Sequence, residues 1–113
     1  RRLIRSGGVD IVQMDPGRCQ GITGCRHVAN LIEAENLGFT AHTWSSALNT
    51  AASVHLLASS THGVSMDFKP HESPMQHELV KDPWIQKEGF IEVRDVPGLG
   101  VTVDEEVVRK YEF

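Results

Sequence analysis

Three ionisable residues, Asp15, His42 and Asp67, each follow a short apolar run, at intervals of 27 and 25 residues. The runs occupy positions 9–14, 38–41 and 63–66. An aspartate beside a histidine can hold the imidazole in one tautomer and favour its charged form. Histidine is also the side chain best suited to moving protons near neutral pH. The carboxylate–imidazole part of a catalytic triad does this work with no serine nucleophile required. If the three runs are neighbouring parallel strands, the acid, the base and the second acid all fall at the carboxyl end of one sheet. Open α/β sheets and barrels build their active sites at that end. Neighbouring strands lie about 4.8 Å apart, so side chains at equivalent strand ends can meet.

The stretches between the runs must supply the crossovers. A strand, a helix and a parallel strand take about 30 residues or more, so these units are compact. After Gly7 and Gly8, residues 9–14 predict a strand, broken by Pro16 and Gly17. From Thr23, read as an N-cap, Cys25, Val28, Leu31 and Ile32 recur with helical spacing. Arg26, His27, Asn30 and Glu33 fill the opposite face, and Gly38 reads as the C-cap. A short strand over 39–41, a helix over 45–59 and a strand over 64–66 complete the alternation. Leu48, Ala51, Ala52, His55 and Leu56 share one side of the second helix.

Beyond residue 68 the pattern changes. Pro70, Pro74 and Pro83 exclude a long helix over 69–83. Residues 89–93 alternate like an exposed strand, and 97–100 form a turn. Residues 104–110 read as a short helix with acids first and bases last. The opening eight residues read as a helix tail closed by glycines, without the apolar core of a signal peptide.

The 113 residues are 40% hydrophobic and 23% charged with net charge −4, which suits a soluble domain. No basic stripe points to nucleic acid, and no run approaches the ~18 apolar residues of a membrane span. Cys19 and Cys25 form neither a disulfide framework nor a zinc spacing, and read as two reduced thiols of a cytoplasmic protein. Three parallel strands with two helices cannot cover both faces of a sheet. A barrel of alternating strands and helices takes about 250 residues. The chain therefore reads as the last portion of such a barrel, beginning in its middle; an independent small α/β domain is the alternative.

Several passages carry a family resemblance. They are Val12-Gln13-Met14-Asp15, then Gly17-Arg18-Cys19-Gln20-Gly21-Ile22-Thr23, then Ala41-His42-Thr43-Trp44, Met66-Asp67-Phe68-Lys69-Pro70 and Pro97-Gly98-Leu99-Gly100-Val101. In this order the chain resembles the C-terminal portion of the mandelate racemase-like subgroup of the enolase superfamily. The resemblance implies an α/β fold, the C-terminal part of a (β/α)7β TIM-like barrel. Asp15, His42 and Asp67 would end its sixth, seventh and eighth strands, with two helices between them. Residues 1–68 would be the last part of the barrel. Residues 69–113 would pack on it and on an N-terminal capping domain. The family binds Mg²⁺ through carboxylates on earlier strands, so no metal ligand is assigned here.

The implied chemistry is removal of the proton next to a carboxylate. His42 would act as base, or as the acid that protonates a departing hydroxyl, with Asp15 orienting it. Asp67 stands where many relatives have a glutamate that donates a hydrogen bond to the substrate carboxylate; a surface ion pair with Lys69 is the other reading. Arg18 could pair with a substrate carboxylate or be a solvated loop charge, and Trp44 could wall the pocket or pack on the barrel rim. His55 reads as a hydrogen-bonded core histidine, and His27 and His62 as exposed. His71 and His77 lack the spacing of a zinc motif.

The expected whole enzyme is a sugar-acid dehydratase, a lyase. A racemase or epimerase of a 2-hydroxy acid is second, and a non-catalytic acid-binding relative third. Its partner would be a small-molecule sugar acid, and its assembly a homo-oligomer. The 113 residues alone are expected to be inactive.

Overall fold

The computed structural model describes residues 1–112. Its centre is a three-stranded parallel sheet of β1 (Ile11–Met14), β2 (Gly38–His42) and β3 (Gly63–Asp67), in the order β1-β2-β3. The crossovers are α2 (Gly21–Ala34) and α3 (Ala47–Ala58), preceded by a single turn, α1 (Arg2–Arg5). Parallel pairing requires such crossovers, because a tight turn can only reverse the chain. The expected order of strands and helices is therefore present.

Register decides which side chains share a face. Met14 pairs with Ala41 and Ala41 with Met66, and His42 pairs with Asp67. Side chains alternate along a strand. Val12, Met14 and Phe39 thus turn to one face, where they pack with Cys25, Ala29 and Ile32 of α2, Leu56 of α3 and Ile4 of α1. Gln13, Thr40, His42, Ser65 and Asp67 take the other face, which no helix covers among the described residues. Val64 sits in a register shift between Phe39 and Thr40, so β3 enters with a bulge and regains its alternation before Asp67. Each outer strand keeps one edge without a pairing partner among the described residues.

Several boundaries differ from those expected. α2 starts at Gly21, with Gln20 as N-cap in the left-handed region at φ 62°, so Thr23 lies inside the helix. Its chain reversal comes at Asn36, φ 54°, and Gly38 opens β2 instead of capping the helix. Gly38 is required by space: a Cβ there would stand 2.8 Å from Val64 Cγ2. Leu31, expected in the core, is exposed, and Ala29 is buried in its place. The helix is rotated so that small residues approach the sheet.

α3 starts after Ser46, whose hydroxyl accepts from Asn49 N. It is buried on nearly every side, because it lies between the sheet, α2 and the C-terminal segment. That segment is held by Trp84, 2% exposed, which packs with Ala51 and Val54. Arg94 lies 4.5 Å over the Trp84 ring and donates to the carbonyls of Asp82, Pro83 and Gly100.

The prolines after β3 allow only one turn, α4 (Pro74–His77). Residues 89–93 form no strand; Phe90 makes only an isolated bridge with Lys87 and is largely exposed. Their alternation was real but found no ladder to join. The final helix, α5 (Glu105–Lys110), is capped by Asp104 as expected.

Candidate active site

The strand ends bring two of the three predicted residues into contact. His42 is the last residue of β2, and Asp15 lies one residue past the end of β1. His42 Nδ1 stands 2.9 Å from Asp15 Oδ2. Asp15 is 8% exposed, and the His42 side chain is about one-third exposed. The other carboxylate oxygen, Oδ1, accepts from Gly17 N at 2.8 Å and from Asn49 Nδ2 at 3.0 Å. Arg18 Nε lies 3.5 Å from Oδ2.

These donors decide the protonation state. Burial opposes ionisation of Asp15, but hydrogen bonds from His42, Gly17 and Asn49 outweigh it and hold the carboxyl below the usual range. An ionised Oδ2 can only accept, so Nδ1 of the ring carries the proton. The neutral imidazole then has its lone pair on Nε2, which has no partner among the described residues. The arrangement is an oriented base whose charged form would be stabilised by a buried carboxylate.

Asp67 pairs in register with His42 but does not bond it. Its Oδ2 accepts from Gln13 Nε2 at 2.8 Å, across the top of β2, and its carbonyl accepts from the Thr43 hydroxyl. The ion pair with Lys69 is absent; Lys69 Nζ donates to Ser73 Oγ at 3.2 Å. Arg18 is 82% exposed and reaches back to Asp15, while Trp44 is half-exposed beside the dyad's strand end.

Two histidines depart from their expectations, and a third has a local structural contact. His55 meets Trp84 edge-on at 5.9 Å between centroids, but its Nε2 is buried without a hydrogen-bond partner. His62 is half-buried, with Nδ1 2.8 Å from Leu37 O, and is not simply exposed. His77 Nδ1 accepts from Ser73 N at 3.1 Å, closing the turn of α4.

Asn49, Gln13 and Thr43 escaped sequence reasoning. A buried amide in an alanine-rich helix was the available signal for Asn49. Cys19 and Cys25 are both free, and burial together with the neighbouring Cys19 pushes the Cys25 thiol up to about 12. No group of three or more His, Cys, Asp or Glu that could hold a metal ion occurs among the described residues. Both Asp15 oxygens are already engaged by the protein. These residues therefore do not supply a Mg²⁺ site. No described helix is long and apolar enough to cross a membrane.

The profile of the family described as enolase C-terminal domain-like matches residues 1–107. The D-galactonate dehydratase of Cronobacter sakazakii is 31% identical over 96% of this chain and 30% of its own length. A mandelate racemase/muconate lactonizing enzyme-like protein from Rubrobacter xylanophilus superposes with a TM-score of 0.87 and 30% identity, over 100% of this chain and 29% of that one. The 3,6-anhydro-D-galactonate cycloisomerase of Zobellia galactanivorans gives 0.87 and 31% identity, over 97% and 31%. The chain thus spans under a third of the length of each of these relatives. Its sheet and two helices are those of part of an enolase-type barrel, and the chain belongs to the enolase C-terminal domain-like family, among the mandelate racemase-like members of the enolase superfamily.

Proposed function

We propose that the chain is the C-terminal barrel portion of an enzyme that removes the proton alpha to a carboxylate, and that the whole enzyme is a sugar-acid dehydratase. The observation that carries this reading is the 2.9 Å contact between His42 Nδ1 and Asp15 Oδ2 at the carboxyl end of the sheet. The dehydratase relatives agree with it. Residues 1–68 would form the last barrel strands and helices, and 69–113 would pack on the barrel and a capping domain. The partner is a small carboxylate substrate. A soluble, cytoplasmic homo-oligomer is the setting proposed for the whole enzyme.

His42 Nε2 takes the α-proton, and the imidazolium so formed is stabilised by the Asp15 carboxylate. The electron pair left on carbon expels the hydroxyl on the next carbon, which leaves as water after gaining a proton. His42 can serve either transfer, as base or as the acid for the departing hydroxyl. Asp67, held by Gln13 on the same face, is proposed to contact the substrate carboxylate. Arg18 and Trp44 border the same strand ends and are the weaker substrate contacts.

Mg²⁺ is the proposed cofactor, with its ligands outside this chain, where it would stabilise charge on the carboxylate as the proton departs.

The test is turnover of a panel of sugar acids by the full-length enzyme, read as formation of the keto-deoxy acid. His42→Asn should abolish turnover while Mg²⁺ affinity, measured by calorimetry, stays within about threefold. Residual activity within tenfold of wild type (about 1.4 kcal/mol) would remove His42 from the mechanism. The cycloisomerase relative favours an isomerase as the second reading. Solvent deuterium entering the α-position with no loss of water would select it.

A further inference from the structure

Asn49 sits in the first turn of α3, 7% exposed, with mostly small and apolar residues around it. Its amide makes three hydrogen bonds to the two strand ends of the site. Nδ2 donates to Asp15 Oδ1 at 3.0 Å and to the His42 carbonyl at 3.3 Å, and Oδ1 accepts from Gly17 N at 2.8 Å. An amide whose partners can each both donate and accept can be turned over without contradiction. Here it cannot: two partners are acceptors and the third is a donor, so only one orientation satisfies all of them. The orientation of α3 is itself tied to the same residue, through Ser46 Oγ accepting from Asn49 N.

We propose that Asn49 is the positioning residue of the dyad, locking the Asp15 carboxylate so that Oδ2 alone faces the imidazole. The inference rests on the dyad reading above. The alternative role, filler of a space between helix and loop, would need none of the three bonds. Asn49 holds Asp15 from α3, the Gly17 amide holds it from its own loop, and His42 holds it from β2. The titratable and charged groups facing Asp15 are His42 from β2, Arg18 from the loop and the Cys25 thiol from α2 beside Cys19. Arg18 lies largely in solvent, and Cys25 is neutral at physiological pH. Neither replaces a buried amide donor.

The test uses the full-length enzyme with Asn49→Ala, which suits an alanine-rich helix, and Asn49→Asp, which keeps the size. Loss of a hydrogen bond to a charged group predicts a fall in kcat of roughly 10- to 100-fold. KM should stay within about threefold, and the acid limb of the kcat profile should move up by roughly one pH unit. Asn49→Asp should be no better than Asn49→Ala, because an ionised carboxylate cannot donate to Asp15. Near-wild-type kcat for Asn49→Asp, or an unmoved acid limb in Asn49→Ala, would overturn the proposal.

Thermal unfolding against pH separates this inference from the function itself. With Asp15 less favourably ionised in the variant, the Tm gap to wild type should be widest near pH 7 and shrink as pH falls toward about 3. A gap of constant size from pH 7 to pH 3 marks a packing role and rejects the proposal. If wild type turns over no sugar acid, the dehydratase reading fails, and the pH dependence of that gap still decides Asn49.

Discussion

Replacing Asp15 with asparagine sets two hydrogen-bonding demands against each other. In the native site both carboxylate oxygens face donors: Oδ1 faces Gly17 N and Asn49 Nδ2, and Oδ2 faces His42 Nδ1 and, more distantly, Arg18. An amide has one oxygen, so one side must receive an NH₂. Placing the NH₂ toward Gly17 and Asn49 sets it against two N–H donors and loses one hydrogen bond from each, about 0.5–1.5 kcal/mol apiece or about 1–3 kcal/mol together, although Gly17 N keeps Asn49 Oδ1 and Asn49 Nδ2 keeps the His42 carbonyl. Placing it toward His42 costs only the Arg18 contact, 3.5 Å from a guanidinium that is 82% exposed, worth about 0–1 kcal/mol. The second arrangement wins. Nδ1 must then accept, which moves the ring proton to Nε2 and removes the lone pair that takes the substrate proton. In the full-length enzyme Asp15→Asn should therefore lower kcat on the order of 10⁴-fold, as for a catalytic triad whose histidine is held in the wrong tautomer. Steady-state turnover of a sugar acid gives the rate, and ¹⁵N NMR of labelled histidine reports which ring nitrogen carries the proton. A kcat within about tenfold of wild type, or a ring still protonated on Nδ1, would refute the reasoning.

Other outcomes follow from the same coordinates. The Asp15 carboxyl is held below its ordinary value, so it stabilises the fold above an unfolded-state pKa of about 3.9 and loses that contribution as pH falls through its folded value. Tm should thus fall more steeply between about pH 5 and pH 2 for wild type than for Asp15→Asn; parallel curves would show no such contribution. A Cβ on Gly24 would overlap the Cys19 carbonyl oxygen, and the Cys19 amide in turn donates to Asp15 O. Gly24→Ala should cost about 1–3 kcal/mol in urea unfolding and also slow turnover, whereas unchanged stability would mean the loop relaxes freely. Phe39 is fully buried between sheet and helices. Its replacement by alanine should cost about 3–5 kcal/mol, and a loss under about 1 kcal/mol would displace the core from this interface.

The alternation of strands and helices was legible because apolar runs ending in one polar residue are what a buried parallel strand leaves in a sequence. The register that sets Asp15 beside His42 follows from that pattern once the strands are neighbours. Boundaries were less readable. Gln20 takes a left-handed conformation that glycine usually supplies, so α2 starts three residues earlier than an N-cap at Thr23 suggested. Residues 89–93 show why alternation alone cannot identify a strand: pairing depends on a partner edge that no local pattern reveals. Asn49 was hidden for a related reason. Helical spacing places a residue on a face, but the partners of a buried amide come from a loop more than thirty residues away. The link from Gln13 to Asp67, spanning three strands, is equally nonlocal.

The outer strands β1 and β3 each offer a row of backbone donors and acceptors that join no ladder among the described residues. Such rims are adhesive, and a chain produced in isolation would be prone to stack onto copies of itself through them. Charged or proline substitutions along those rims are the natural remedy when the piece must be handled alone. The same rims would also let the chain serve as one piece of a split reporter. A second polypeptide whose strands pair with those rims would dock by completing the ladders, and its arrival could be followed by the loss of aggregation well before any catalysis is measured.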